Sequence, residues 1–269
     1  MPVYLDCAAT TPMDEAVVEV CLRYMREDFG NAASRTHSAG AVARRAVECA
    51  RDQVAAVVGS SRGDVVFTSG ATESNNLAIL GLAESGRESG RTHVVSTAIE
   101  HSAVLEPLEE LARRGFEITL VQPEPGGRVL AEAIADAVTE RTLLVSVMHV
   151  NNETGVRQPV AEIARLLGDR PVYFHTDAAQ GYSKDLEPLR EPRIDLISVS
   201  GHKIGGPKGV GALIVRRRGR ERPPLAPLFF GGGQERGYRP GTAPVPLIAG
   251  LGEAAEGWSR NAPERWEAG

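Results

Sequence analysis

Lys203 stands in an uncommon place. It follows the apolar run 194–200 and lies in a glycine-rich turn, Ser200-Gly-His-Lys-Ile-Gly-Gly-Pro-Lys208, ahead of a second apolar run, 211–215. Lysine is usually solvated, because burying its charge without a partner is costly. Two readings are open. Lys203 and Lys208 are exposed turn residues, or Lys203 points into a cleft as an amine able to attack a carbonyl. The turn is not a Walker A loop, since Pro207 stands where the lysine of that motif belongs.

Four more stretches carry chemistry, each at the end of a strand-like run. Thr68-Ser-Gly-Ala-Thr-Glu-Ser74 offers small residues and a helix start, with Ala71 and Thr72 at its centre. Backbone N–H groups there suit a phosphate, and Thr72 as a plain N-cap is the alternative. His101, in Ile99-Glu-His-Ser102, is a general base, a ring-stacking group, or a hydrogen-bonded structural histidine. Asn152 and Glu153, in His149-Val-Asn-Asn-Glu-Thr-Gly155, could bind a polar ligand or form an Asn/Gly-rich turn. Asp177, in His175-Thr-Asp-Ala-Ala-Gln180, ends a buried run and needs a cation or donors; an N-cap role is the alternative. Together these stretches supply the parts a pyridoxal 5'-phosphate (PLP) enzyme needs. They are a phosphate cradle, a ring-stacking group, an aspartate to keep the pyridine nitrogen protonated, and a lysine for a Schiff base.

The elements that must position them alternate. Strand-like runs cover 65–68, 93–96, 117–121, 143–148, 172–175, 194–200 and 211–215. Helical patterns cover 72–83, 103–113, 131–138 and 160–167 between them. Two helices precede the first strand: one over 15–27, capped by Asp14 and closed by Gly30-Asn31, and one carrying Ala43, Val47, Ala50, Val54 and Val57, stopped by Gly59. A last helix starts near Pro246. Several strands are continuous apolar runs, as in strands covered on both faces. The pattern predicts an α/β domain with a largely parallel central sheet, whose ligands bind where strand ends open into loops.

Composition bounds the alternatives. The 269 residues are 42% hydrophobic and 24% charged, with formal net charge −5, so no basic footprint for nucleic acid is present. Cys7, Cys21 and Cys49 are too few and odd in number for a disulfide framework and fit a reducing cytoplasm, with small buried hydrophobes as their expected role. No metal-ligand spacing, dinucleotide fingerprint, signal peptide or membrane-spanning run is found, so neither a metal nor a membrane is expected.

Seven stretches resemble the cysteine desulfurases of the class V aminotransferase family. They are Tyr4-Leu-Asp-Cys-Ala-Ala-Thr-Thr-Pro12, Phe67-Thr-Ser-Gly-Ala-Thr-Glu-Ser-Asn-Asn76, Ala98-Ile-Glu-His101, 148–155, 175–180, Ser200-Gly-His-Lys203 and 231–242. The wording of 29–35 and of Arg239-Pro-Gly-Thr-Ala-Pro-Val-Pro246 is similar to the desulfurases of bacterial DNA phosphorothioation systems. The resemblance implies PLP-dependent transferase fold type I: a large domain with a mixed, mostly parallel sheet between helices. It implies an arm over 1–14, a PLP-binding large domain over 15–257, and at 258–269 the start of a connection to a C-terminal small domain absent from this sequence. It implies that Lys203 holds PLP and moves the substrate α-proton. Asp177 pairs with the pyridinium nitrogen, His101 stacks and acts in acid–base steps, and Gln180 bonds the phenolic oxygen. Ala71, Thr72, Ser200 and His202 hold the phosphate, with Thr242 reaching a neighbouring subunit's phosphate in a homodimer. Asn152 contacts cofactor and substrate. The implied reaction takes sulfur from L-cysteine, leaving L-alanine and a persulfide for an iron–sulfur scaffold or a DNA-sulfur-modification protein. The family's persulfide cysteine and carboxylate-binding arginine lie in the part this chain lacks, so a non-catalytic PLP-fold scaffold is the alternative.

Overall fold

The seven strands form one sheet, in a computed structural model that describes residues 3–267. They are β1 (Val65–Thr68), β2 (His93–Thr97), β3 (Glu117–Val121), β4 (Thr142–Ser146), β5 (Tyr173–Asp177), β6 (Leu196–Ser200) and β7 (Gly211–Val215), in the order β1-β7-β6-β5-β4-β2-β3. β7 runs antiparallel to both neighbours and every other pairing is parallel. The reversal has a local cause. β6 and β7 are joined by the glycine-rich Lys203 turn, too short for a crossover helix, so the chain must double back. The C-terminal ends of β1, β2, β4, β5 and β6 therefore open on one edge of the sheet, and the Lys203 turn lies among them.

Alternation along the strands builds two cores. Val65, Phe67, Val95, Val145, Phe174, Ile197 and Ile214 face one side. There they meet α1 (Glu15–Arg26), α2 (Ser38–Val57), α6 (Ala131–Asp136), α7 (Val160–Leu167) and α8 (Val245–Glu267), through residues such as Val17, Val54, Ile134, Ile163 and Leu251. Val66, Val94, Leu144, Leu196 and Leu213 face the other side, against α3 (Ala71–Leu80), α4 (Ala83–Glu88) and α5 (Ser102–Arg113). The result is a helix–sheet–helix sandwich with the site edge left open. β3 is the exception to burial on both faces: it is one of the two edge strands, and Leu120 is exposed.

Several elements differ from the sequence expectation. The first helix ends at Arg26, before Gly30. Gly30 serves a close approach instead, since a Cβ there would meet the Ala39 carbonyl oxygen at 2.2 Å. The helix expected over 72–83 starts one residue earlier and breaks at Gly81, whose carbonyl accepts from Ala226 N at 2.8 Å; α4 follows as a separate turn. Thr72 consequently lies inside α3, and Gly70 is the N-cap. β5 runs on to Asp177, which is thus a strand residue and caps no helix. Residues 3–14 are an arm without strand pairing, and α8 is continuous through residue 257. The ends of the expected arm and connection, 1–2 and 268–269, lie outside the described residues. Among the described residues no helix is long and apolar enough to cross a membrane.

Candidate active site

A cavity of about 770 Å³ opens at the C-terminal edge of the sheet. Gly70 and Gly211 make its floor possible. A Cβ on Gly211 would meet Val199 O at 2.3 Å and Gly70 Cα at 2.6 Å, so the β1–α3 turn can cross β7 only over glycine. Gly70 itself takes φ +155°, a conformation that side chains disfavour. The crossing points the start of α3 at the cavity, and Ala71 and Thr72 line it with the helix N–H groups. Glu73 steadies that first turn. Its carboxylate accepts from Ser69 N at 2.7 Å and from Arg239 Nε at 2.9 Å. Burial opposes its ionisation, but these donors hold its carboxyl below the ordinary value.

Across the cavity, Asp177 ends β5 almost fully buried. One carboxylate oxygen accepts from Ala179 N at 2.9 Å and the other from Asn75 Nδ2 at 2.7 Å. Burial raises its pKa, while those donors, with His101 and Lys203 nearby, draw it back down. Asn75 is the residue that sequence reasoning missed. It lies one helical turn after Ala71 and so shares its face, a spacing that could have identified it. Its side chain is buried and its Oδ1 has no hydrogen-bond partner among the described residues.

Lys203 lines the same cavity, in the 3-10 turn after β6. Its amine donates to the Ala8 carbonyl, which also accepts from Gln180 Nε2 at 2.8 Å. Burial lowers the pKa of Lys203 against the opposing pull of Asp6 and Asp177, so more of it is the free amine than in an exposed lysine. The arm is laced to the turn beneath it: Thr11 N and Oγ1 donate to the His202 carbonyl at 2.9 and 3.0 Å, and Thr11 Oγ1 accepts from Gly205 N. His202 Nδ1 meets Thr10 Oγ1 at 3.1 Å.

Ser200, His202, Asn152, Gln180 and His101 line the cavity with these groups, as does Lys208. Thr242 does not; it is exposed in the loop before α8. Glu100, the neighbour of His101, is buried, and desolvation pushes its carboxyl up to about 8. Two of the three cysteines depart from the buried role expected of them. Cys21 alone is buried, its thiol donating to Pro246 O at 3.3 Å; Cys7 and Cys49 are exposed, and no cysteine lines the cavity. Among the described residues no His/Cys/Asp/Glu cluster could hold a metal ion.

The donor set fits PLP. Helix N–H groups and the Ser200 and His202 side chains suit the phosphate, and a buried carboxylate suits a cationic ring nitrogen. An amine whose charged form burial disfavours suits its carbonyl, and all three open on one cavity of sufficient size.

Residues 3–265 match the family described as aminotransferase class-V. The chain is 49% identical over 256 residues to the cysteine desulfurase IscS of Rickettsia felis, covering 95% of this chain and 62% of that protein. It thus spans about 62% of the length of the curated relatives it matches. Among solved structures, DndA from Streptomyces lividans superposes with TM-score 0.89 at 55% identity, over 97% of this chain and 74% of that one. A structure of SspA in complex with cysteine superposes with TM-score 0.88 at 40% identity, over 95% and 72%.

Proposed function

The chain belongs to the class V aminotransferase family, whose desulfurase members are PLP-dependent, and on that premise we propose that it is the coenzyme-binding part of a cysteine desulfurase. The observation that carries this is the buried Asn75–Asp177 pair, opening on the same cavity as the amine of Lys203. When bound, PLP supplies a carbonyl for the substrate amine and an electron sink for the bond that breaks. The protein's residues do the rest. Asp177 holds a proton on the ring nitrogen, kept there by its burial and two donors. Lys203 carries the proton at the substrate Cα. The start of α3, Ser200 and His202 anchor the phosphate, Gln180 donates to the ring oxygen, and Asn152 orients the amino acid. L-cysteine is the substrate in this reading, yielding L-alanine and sulfur for an acceptor thiol. An iron–sulfur scaffold or a DNA-sulfur-modification protein then takes up the sulfur. The protein works in the cytoplasm as a homodimer, with exposed Thr242 reaching the partner copy's phosphate.

Borohydride trapping of the PLP-loaded protein, followed by peptide mapping, tests the reading. The pyridoxyl group is expected on Lys203 and absent in Lys203→Ala. A group trapped on Lys208 instead would overturn the assignment. A protein that binds PLP but exchanges no α-proton of L-alanine with solvent would favour the scaffold alternative.

A further inference from the structure

A second cleft, of about 280 Å³, lies away from the coenzyme cavity, at the opposite edge of the sheet. The turn 59–61, Asp64, Arg190, Arg216 and Arg217 line it. β7 separates the two places. Gly211 at its start underlies the coenzyme cavity, and Arg216 follows its end, about 16 Å further along the strand.

Arg216 is buried, yet it holds no carboxylate. Its Nε donates to Ser60 Oγ at 2.8 Å. Its terminal nitrogens donate to the carbonyls of Glu191 at 2.7 Å, Val58 at 2.7 Å, Leu189 at 2.8 Å and Ile194 at 3.4 Å. Every N–H of the guanidinium is thus taken by an uncharged acceptor, and Asp64, Asp195 and Glu191 act on it only through space. The group is locked, and its charge is not cancelled by contact. It also covers the Val58 carbonyl at the end of α2, which shields the negative end of that helix from the cleft. Ser60 Oγ accepts from this cation, so its own O–H is the part left to donate. The one carboxylate of the cleft is already engaged: Asp64 accepts from Ser61 N at 3.1 Å and Ser61 Oγ at 2.8 Å, and pairs with Arg222 at 3.4 Å. Arg190 and Arg217 are exposed, and neither guanidinium has an acceptor among the described residues.

We propose that this cleft is a binding site for a small phosphate-bearing anion. Arg190 and Arg217 grip it, Ser60 donates its hydroxyl, and the locked charge of Arg216 stands behind. Three arginines against one engaged carboxylate favour a doubly charged oxyanion, and guanidinium forks match the oxygens of a phosphate. The cleft has room for a phosphate carrying a second phosphate or a small organic group. This site is independent of the desulfurase reading.

Pyrophosphate titrated into 15N-labelled protein tests it, with the coenzyme site first filled by PLP and fixed with borohydride. The amide signals of Gly59, Ser60 and Ser61 are expected to shift saturably at millimolar concentration or below. Were PLP not to bind, those three amides would still report the cleft, because none of them lines the coenzyme cavity. Arg190→Gln combined with Arg217→Gln should weaken pyrophosphate by about tenfold or more, and Ser60→Ala by about threefold. Both arginines are exposed, so the double variant should trap PLP as the parent does. An unchanged affinity in the double variant would overturn the proposal, as would shifts that leave residues 59–61 untouched. Acetate that moves the same amides at the same concentration would show a general attraction for anions and remove the phosphate class. An oligothymidylate that binds more tightly than pyrophosphate would show a surface for a polymer backbone and remove the small ligand.

Discussion

At Asp177 a carboxylate is kept in the protein interior by two donors, and Asn75 is the one that comes from another element. It ties the helix whose N-terminus faces an anion to the strand whose end faces a cation. In Asn75→Ala the carboxyl keeps only the Ala179 amide, and burial, already its dominant influence, raises its pKa further. A bond to a charged group contributes about 1.5–3 kcal/mol, so α-proton exchange of L-alanine should fall by about ten- to a hundredfold. The acid limb of its pH profile should move to higher pH. A variant with the wild-type rate and limb would show that Asn75 only packs. Lys203, Asp177, His101 and Gln180 were legible because each follows a strand-like run in a loop rich in small residues. Asn75 was hidden inside a helical pattern, where an asparagine ordinarily reads as a solvated position.

Between the strands lies a polar seam that no periodicity announces. Ser96 of β2 donates to Ser146 O at 2.8 Å, Ser146 Oγ meets His175 Nδ1 at 2.8 Å, and His175 Nε2 meets Ser198 Oγ at 3.0 Å, linking β2, β4, β5 and β6. His175 is two residues before Asp177 on the same face of β5. Burial drives its pKa down to about 3. The folded protein therefore keeps it neutral where the unfolded chain, near 6.5, has begun to bind a proton. Its contribution to stability is complete above about pH 6.5 and is lost as pH falls toward 3. From this group alone, urea unfolding should show a loss of about 2 kcal/mol between pH 7 and pH 5. His175→Gln should lose less over that interval, and an identical pH dependence would refute the assignment. The strand runs themselves were readable from their apolar composition, and α7 from its amphipathic spacing. The break at Gly81 was not, because it is imposed by the distant segment around Ala226. Strand order and the antiparallel placing of β7 are likewise tertiary facts, although the shortness of the Lys203 turn hinted at the reversal.

The whole molecule brings one edge of a sheet, one helix start and one arm around a single amine, and it places three thiols elsewhere. Sulfur transfer needs a thiolate that reaches the substrate sulfur and then carries the persulfide away. Cys21 is buried between α1 and the start of α8, and burial raises its pKa. Cys49 is exposed on α2 and Cys7 is exposed on the arm; Asp6 and Ala8 on either side of Cys7 line the cavity, but Cys7 does not. The expectation is that these 269 residues, loaded with PLP, bind L-cysteine with a change in the visible spectrum yet do not form alanine catalytically. Alkylation and mass mapping after incubation with L-cysteine should find no persulfide on Cys21 or Cys49. Single-turnover alanine, with sulfur released to an added small thiol, would fit the same geometry, because the chemistry at Cα needs only the residues of the cavity. Multiple turnovers with a persulfide on Cys7 that disappears in Lys203→Ala would overturn it. The arm bonded to the Lys203 turn through Ala8 and Thr11 would then have to swing its neighbouring thiol into the site during each cycle.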